Sequence, residues 1–241
     1  MALLDALRGW SPAQKNTVIA SYLGWTLDAF DFFLLVFVLQ DVANEFGVER
    51  ELLTWALFLT LAFRPLGAFI FGRLADRFGR RPILMLDVGL YSMFGLLTAF
   101  APNLITFFII RTLFGIAMGG EWGIGASLAM ETVPARSRGL VSGLLQSGYP
   151  SGYLFASLVF GLAYTTIGWR GMFVVGALPA LLVLYIRRNV PESPAWNIER
   201  AKEGKILAVL QRHWKIAIYA ILLMTAFNFF SHGTQDLYVL F

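Results

Sequence analysis

The sequence predicts an all-α protein that crosses a membrane, and three observations carry that prediction. Hydrophobic residues make up 58% of the 241-residue chain and charged residues 14%, against roughly 45–50% and about 25% in soluble domains. The apolar residues gather into seven runs, each near the ~20 residues that a helix needs to span a bilayer. Between the second and third runs lies GRLADRFGRR, Gly72 to Arg81. Its arginines and its aspartate cannot enter lipid, so the segment fixes a tight turn at the membrane face.

At the start of the chain, MALLDALRGWSPAQK lacks the long apolar core and small-residue cleavage site of a signal peptide. Leu3, Leu4, Leu7 and Trp10 instead share one face of a short interfacial helix. Ser11 followed by Pro12 fits the N-cap and first position of the first spanning helix. The spans are expected at 17–40, 52–74, 83–101, 104–130, 139–163, 170–187 and 214–238. The first outer loop is acidic, with Asp41, Glu45, Glu49 and Glu51, and the second is little more than Ala101-Pro102-Asn103. The longest polar stretch runs from Arg188 to His213, through PESPAW and ERAKEGK, and reads as a partly helical cytoplasmic linker. The expected organisation is a six-helix bundle over 1–188, a linker over 189–213, and the first helix of an incomplete second bundle over 214–241. Because the seventh helix would reach the outer surface as the sequence stops at Phe241, a fragment of a longer protein is expected. Gly115, Gly119 and Gly123, then Gly139, Gly143, Gly148 and Gly152, give small-residue faces for close helix packing.

Charge sets the orientation. With the amino terminus inside, Arg8, Lys15, Arg73, Arg77, Arg80, Arg81, Arg136, Arg138, Arg187, Arg188, Arg200, Lys202, Lys205, Arg212 and Lys215 all fall on the cytoplasmic side, leaving Arg50, Arg64, Arg111 and Arg170 elsewhere. The net charge of +4 therefore belongs to loops held at the lipid headgroups, and no basic cluster lies on a soluble domain where nucleic acid could be tracked. Cysteine is absent, so disulfides and thiolate metal sites are excluded, and with only His213 and His232 to offer imidazoles a histidine-rich metal centre is not expected. No nucleophile–base pairing or metal-ligand spacing points to an enzyme, and no cofactor is expected.

Function is expected where charge enters the apolar windows. Asp28, Asp31, Arg64, Arg111, Glu121, His232 and Asp236 lie inside or at the edge of spans, where each costs roughly 2.5–3.5 kcal/mol. They require a polar interior. At about 1.5 Å per residue, Asp28 and Asp31 sit about 15 and 20 Å from the inner end of their window, Arg64 about 18 Å and Arg111 about 10 Å from the outer ends of theirs. The depths overlap, so acids and arginines can pair across one cavity. Asp28 and Asp31, at i and i+3, face one side of their helix. A carboxylate whose access to water changes with conformation is what a proton carrier requires; the plainer alternative is that the aspartates pair permanently with Arg64 or Arg111 to fix helix register. Arg111 or Arg64 is equipped to grip the carboxylate of a substrate. Glu121, nearer the cytoplasmic end, is expected to be a structural partner for loop arginines.

The seventh helix supplies a second constellation. In NFFSHGTQDLY, residues Asn228, Ser231, His232, Gln235 and Asp236 fall within a sector of about 140°. Such a polar stripe lines a cavity, or marks a helix end near water. His232 titrates near neutral pH in an ordinary environment, which leaves it either a proton-handling or a plain hydrogen-bonding group.

The turn GRLADRFGRRP resembles the G-x-x-x-D-[RK]-x-G-[RK]-[RK] signature between helices two and three of the major facilitator superfamily, matching at Gly72, Asp76, Arg77, Gly79, Arg80 and Arg81. Arg111 to Gly115 with Gly119-Gly120-Glu121 is similar to its helix-four pattern, Glu131-x-x-Pro134 with Arg138-Gly139 to its next cytoplasmic loop, and PESPAW to the segment after helix six. LDAFDFF at Leu27 to Phe33 resembles helix one of the sialate and monocarboxylate proton symporters, and the run from Asn228 to Asp236 resembles the N-x-x-[ST]-H-x-[ST]-Q-D signature of lactate and pyruvate permeases, with Leu240 where a threonine would stand.

The resemblance implies a twelve-helix carrier with a cavity between two six-helix bundles, of which this chain holds one bundle and one helix. It implies proton-coupled symport of a small monocarboxylate, with Asn228, His232 and Gln235 toward substrate, Asp236 toward the proton, and Gly72, Asp76, Arg77, Gly79, Arg80 and Arg81 as a cytoplasmic latch; the buried charges add Arg111 and Arg64 toward substrate and Asp28 and Asp31 toward the proton. The expected partners are a small organic anion, a proton and the lipid bilayer of the cell membrane, which is the inner membrane in a bacterium, and the full-length protein is expected to be a monomer. The same fold carrying sialic acid, an aromatic acid or another organic anion is the nearest alternative. A non-transporting seven-helix receptor or assembly subunit is the alternative of another class.

Overall fold

The computed structural model describes residues 9–199, 213–216, 218–219, 221–223 and 226. Helix α1 spans Pro12–Phe46; its start is written locally, because the Ser11 side chain accepts from the Gln14 N–H while Gln14 returns the bond to the Ser11 N–H, and Pro12 occupies the first turn. Gly47, at φ 64°, ends it in the left-handed conformation that suits glycine. Helix α2 is Arg50–Phe78, α3 Arg80–Thr98, α4 Leu104–Met118 and α5 Glu121–Thr132. After a 3-10 turn at Ala135–Ser137 come α6 (Arg138–Gln146), α7 (Gly148–Val175), α8 (Pro179–Asn189) and the short α9 (Pro194–Glu199).

One expected span is interrupted, and the turn between two others falls in the gap that the windows 139–163 and 170–187 leave. The window at 104–130 is broken at Gly119-Gly120 into α4 and α5, where a Cβ on Gly119 would strike the Arg64 carbonyl of α2. The segment Ala135–Asn189 holds 55 residues, about 80 Å of helix and too long for one crossing; the turn falls at Gly168, whose φ of 63° is not helical. By length and composition, four stretches are suited to cross a membrane: Pro12–Phe46, Arg50–Phe78, Leu104–Thr132 and Ala135–Asn189. Helix α3, with Arg80, Arg81 and Asp87, is not among them.

Helix α1 is central. It packs against α7, α5 and α8, while α2 packs mainly on α4, and α3 on α4 and α8; 56% of the apolar window of α1 is buried against 22% for α2. Glycines set the closest approaches: Gly152 of α7 meets Thr26 and Ala29 of α1, and Gly115 of α4 meets the Thr60 backbone of α2. Gly123, Gly139 and Gly143, expected on the same kind of face, have open space where a Cβ would be. Leu162, Leu181, Phe58 and Leu154 lie more than half exposed, a surface matched to lipid rather than water.

One end of the bundle gathers Arg80, Arg81, Arg138 and Arg187, tied by Gln14 to the Thr132 carbonyl and by Asn16 to that of Asn189. We call this the basic end. At the other end, Glu45 of α1 pairs with Arg170 at 2.5 Å and accepts from Trp169 at 2.5 Å, while Arg170 also donates to the Ala99 carbonyl. The compact unit that holds this bundle ends at Ile198, and Glu199–Phe241 form a second. Within the latter, residues 213–216, 218–219 and 221–223 are helical, with Trp214, Tyr219 and Leu222 exposed.

Candidate functional site

The interior of the bundle holds a cluster of charge. Asp28 and Asp31 are 1% and 3% exposed on α1, Arg111 is 1% exposed on α4, Asp87 is 0% on α3, and Glu121 is 1% at the start of α5. Asp28 forms an ion pair with Arg64 of α2. The two differ in access: the Arg64 side chain is 22% exposed and that of Asp28 only 2%. Arg111 is enclosed, donating to Thr98 Oγ1 at 3.2 Å and lying over the rings of Phe114 at 4.0 Å and Phe173 at 5.1 Å. Its charge acts on Asp31.

Small residues make room for the acids. A Cβ on Gly176 would lie 2.8 Å from Asp31 Oδ1, one on Gly120 would lie 2.7 Å from Asp87 Oδ1, and one on Gly24 would collide with Glu121 Oε1. Asp31 and Glu121 accept no hydrogen bond among the described residues, and neither does Asp28 Oδ1. The Tyr91 hydroxyl, fully buried on α3, is also without a hydrogen-bond partner there and lies within electrostatic reach of all four acids. Four carboxylates thus face two guanidiniums in an apolar bundle. Pairing neutralises at most two of them; the others require a proton or water.

Beside this cluster runs a ladder of aromatic rings. Trp25 meets Trp122 at 6.0 Å and Tyr149 at 5.9 Å, Phe33 meets Tyr149 at 5.3 Å and Tyr153 at 4.8 Å, and Phe37 continues to Phe160 at 5.4 Å. It follows the contact of α1 with α7.

At the basic end, Arg80 pairs with Asp76 at 2.5 Å and with Glu131 at 3.2 Å. Glu192 accepts from the N–H groups of Arg80 and Arg81, satisfying backbone donors at the start of α3. Ser193 donates to Glu131 at 2.5 Å, Trp196 donates to the Asp76 carbonyl at 2.8 Å, and Arg81 to that of Arg187. Several charge-assisted bonds reach Arg80, and together they hold its guanidinium above the usual arginine range against the opposing effect of partial burial. Arg77 lies over the Phe78 ring, while a Cβ on Gly72 would meet open space.

A family model of the Major Facilitator Superfamily matches residues 21–240. The chain belongs to that superfamily. This superfamily chain is similar to the sialic acid transporter NanX of Escherichia coli (strain K12), 31% identical over 92% of this chain and 55% of that protein. It is 37% identical to a probable 4-methylmuconolactone transporter of Cupriavidus pinatubonensis over 81% of this chain and 46% of the relative. Against the niacin transporter NiaP of Acinetobacter baylyi it is 32% identical over 79% of this chain and 44% of the relative. Among solved structures, the proton:xylose symporter XylE bound to a bromo-deoxy-glucose superposes with a TM-score of 0.70 at 24% identity, over 79% of this chain and 47% of that one. The chain spans about half the length of the relatives it matches, and these relatives are transporters rather than enzymes.

In this superfamily chain, the expected Asp28, Asp31, Arg64 and Arg111 fall in one interior cluster, and the signature residues from Gly72 to Arg81 gather at the basic end. Asn228, His232, Gln235 and Asp236 lie outside the described residues, as do Leu3, Leu4 and Leu7. One expectation is corrected: Glu121 is not a partner of loop arginines but is buried among the interior acids, and Glu131 holds Arg80 instead. Asp87 joins the cluster without having been singled out. The signal was present, an acid inside the apolar window 83–101, and its cost there was the same as that of Asp28.

Proposed function

We propose that this chain is part of a secondary transporter that carries a small monocarboxylate together with a proton across the cell membrane, the inner membrane in a bacterium, with the basic end in the cytoplasm. The observation that carries the reading is the Asp28–Arg64 pair: a buried acid bound to an arginine that is itself partly open. A substrate carboxylate arriving at Arg64 competes with Asp28 for the guanidinium. Once displaced, Asp28 is a buried charge without a counter-ion, and protonation removes that penalty. Anion and proton therefore load together. Arg111, enclosed by Phe114 and Phe173, serves in this reading to balance Asp31, and comes to a substrate only if the bundle opens. The signature turn serves as the cytoplasmic latch, with Arg80 joining α3 to α5 and Glu192 joining it to the segment after α8.

The similar transporters of niacin, methylmuconolactone and sialic acid favour an organic acid. The aromatic ladder from Trp25 to Phe160 favours a second reading, in which the acid carries a ring that stacks beside Arg64. Competition of lactate, pyruvate and nicotinate for one uptake site separates the two.

The test is uptake by the full-length protein in vesicles. An inward proton gradient should drive pyruvate or lactate above equilibrium, and Asp28→Asn should keep exchange of labelled for unlabelled substrate while losing accumulation. Accumulation indifferent to the gradient sinks the coupling, and accumulation unchanged in both Asp28→Asn and Asp31→Asn returns those acids to a purely structural role.

A further inference from the structure

Asp87 and Glu121 are left unused by the loading step, and their placement has a direction. Helices α1, α3 and α5 are level at the basic end, where Gln14 donates to the Thr132 carbonyl at 3.0 Å and Arg80 pairs with Glu131 at 3.2 Å. From that level, Asp87 lies about 10 Å along α3, Glu121 about 16 Å along α5 and Asp28 about 21 Å along α1. The three carboxylates descend as a staircase toward the basic end. Glu121 presses on Gly24, one turn below Asp28 on the same face of α1. Asp87 abuts Gly120, and Gly120 also forms a wall of a cleft of about 420 Å³ lined by Gly72, Asp76, Arg80, Gly119 and Trp122. Gly120 thus touches Asp87 and Phe71 on one side and the cleft on the other. Tyr91 stands one turn beyond Asp87 on the same face of α3, its buried hydroxyl without a hydrogen-bond partner among the described residues and in reach of every acid of the cluster.

We infer that Glu121 and Asp87 form the inner half of a proton route, carrying the proton that Asp28 releases to water in the cleft at the basic end. The inference rests on the symport reading. When the substrate carboxylate leaves Arg64, Asp28 returns to the guanidinium; Asp87 gives its proton to water, Glu121 passes its own to Asp87, and the O–H bond of Asp28 breaks as its proton passes to Glu121. Glu121 and Asp87 end protonated, as they began, and Asp28 ends charged on Arg64, ready to load again, so the route turns over. The charged groups around it are Asp31, Arg64 and Arg111 above and Asp76 and Arg80 at the mouth, with the Tyr91 hydroxyl placed to donate to whichever carboxylate is charged. Arg64 favours the charged form of Asp28 and lies nearest the top of the staircase, which sends the proton toward the basic end.

The experiment uses the full-length transporter in vesicles, with labelled pyruvate or lactate as probe. Asp87→Asn and Glu121→Gln should each keep substrate exchange within about twofold of wild type and lose gradient-driven accumulation by about a hundredfold, the lower end of what a positioned proton-transfer group contributes. Infrared difference spectra on adding substrate to the wild-type protein should show carbonyl bands of buried carboxylic acids beyond those removed by Asp28→Asn and Asp31→Asn. Wild-type accumulation that survives in both Asp87→Asn and Glu121→Gln overturns the route and leaves the symport reading standing. If those variants do not fold, spectra in which only Asp28 and Asp31 respond overturn it equally. A wild-type protein with no gradient-driven uptake instead overturns the symport reading, and the route with it.

Discussion

At the scale of single residues, the Asp28–Arg64 pair is the point where stability and function meet. Asp28 is nearly inaccessible, so its charge is tolerated through its partner, whereas Arg64 retains an open edge. Removing one member of a buried pair costs more than removing both, because the survivor keeps its desolvation penalty without its counter-ion. Arg64→Gln should therefore lower unfolding stability by about 3–5 kcal/mol, and Arg64→Gln combined with Asp28→Asn should recover most of that loss. Thermal unfolding of the full-length protein in detergent measures both. If the double variant is as unstable as the sum of the single ones, the two side chains are not coupled and the pair does not set the register of α1 on α2. Arg111 offers no such opening; its hydrogen bond to Thr98 and its two rings surround it inside the bundle. The choice of partner for Asp28 could not be made from sequence, since depth along separate helices left Arg64 and Arg111 both within range.

At the scale of elements, each end of the bundle is closed by contacts between segments far apart in sequence. At the end opposite the basic one, Glu45 ties α1 to α7 through Arg170 and Trp169. The hydrogen bond from Arg170 holds the Glu45 carboxyl below the usual glutamate range, with the Trp169 donor acting in the same sense and slight burial opposing them. A depressed folded-state value means that the contribution is fully present above the unfolded value, about 4.3, and is lost as pH falls through the folded value. Both side chains are more than a third exposed, so the effect is small. Glu45→Gln should melt slightly below wild type at neutral pH, and the gap should close on acidification; a gap that widens as the carboxyl protonates contradicts the assignment. How far elements were legible depends on how local their causes are. The start of α1 was readable because Ser11, Pro12 and Gln14 settle it within four residues. The break between α4 and α5 was not, since hydropathy runs on through Gly119-Gly120, and the close approach of Gly119 to the Arg64 carbonyl comes from another helix. The Glu192 contact at the start of α3 spans more than a hundred residues of sequence, and no local pattern announces it. Asp87 is a different kind of miss, because the acid in the apolar window was visible and its cost known.

At the scale of the whole molecule, the distribution of charge and apolar surface leaves one way to sit in a bilayer. Arginines gather with the α2–α3 turn at one end, while Glu45, Glu49 and Glu51 stand at the other, and between them exposed Phe58, Leu61, Leu154 and Leu162 form an apolar surface suited to acyl chains. Basic residues near span ends are retained on the cytoplasmic side, so the amino terminus and the turn from Gly72 to Arg81 should lie inside. The direction of the proton staircase depends on this orientation, since Asp87 must be on the side where the proton is released. These 241 residues contain no cysteine, so once any cysteine elsewhere in the full-length protein is replaced, a thiol introduced here is the sole site for a membrane-impermeant maleimide. Arg73 and Glu49 are both exposed and lie at opposite ends. In intact cells expressing the full-length protein on a cysteine-free background, Glu49→Cys should label at once, and Arg73→Cys only after the membrane is permeabilised. The reverse pattern inverts the molecule in the bilayer and turns the staircase of Asp28, Glu121 and Asp87 into an entry path rather than an exit.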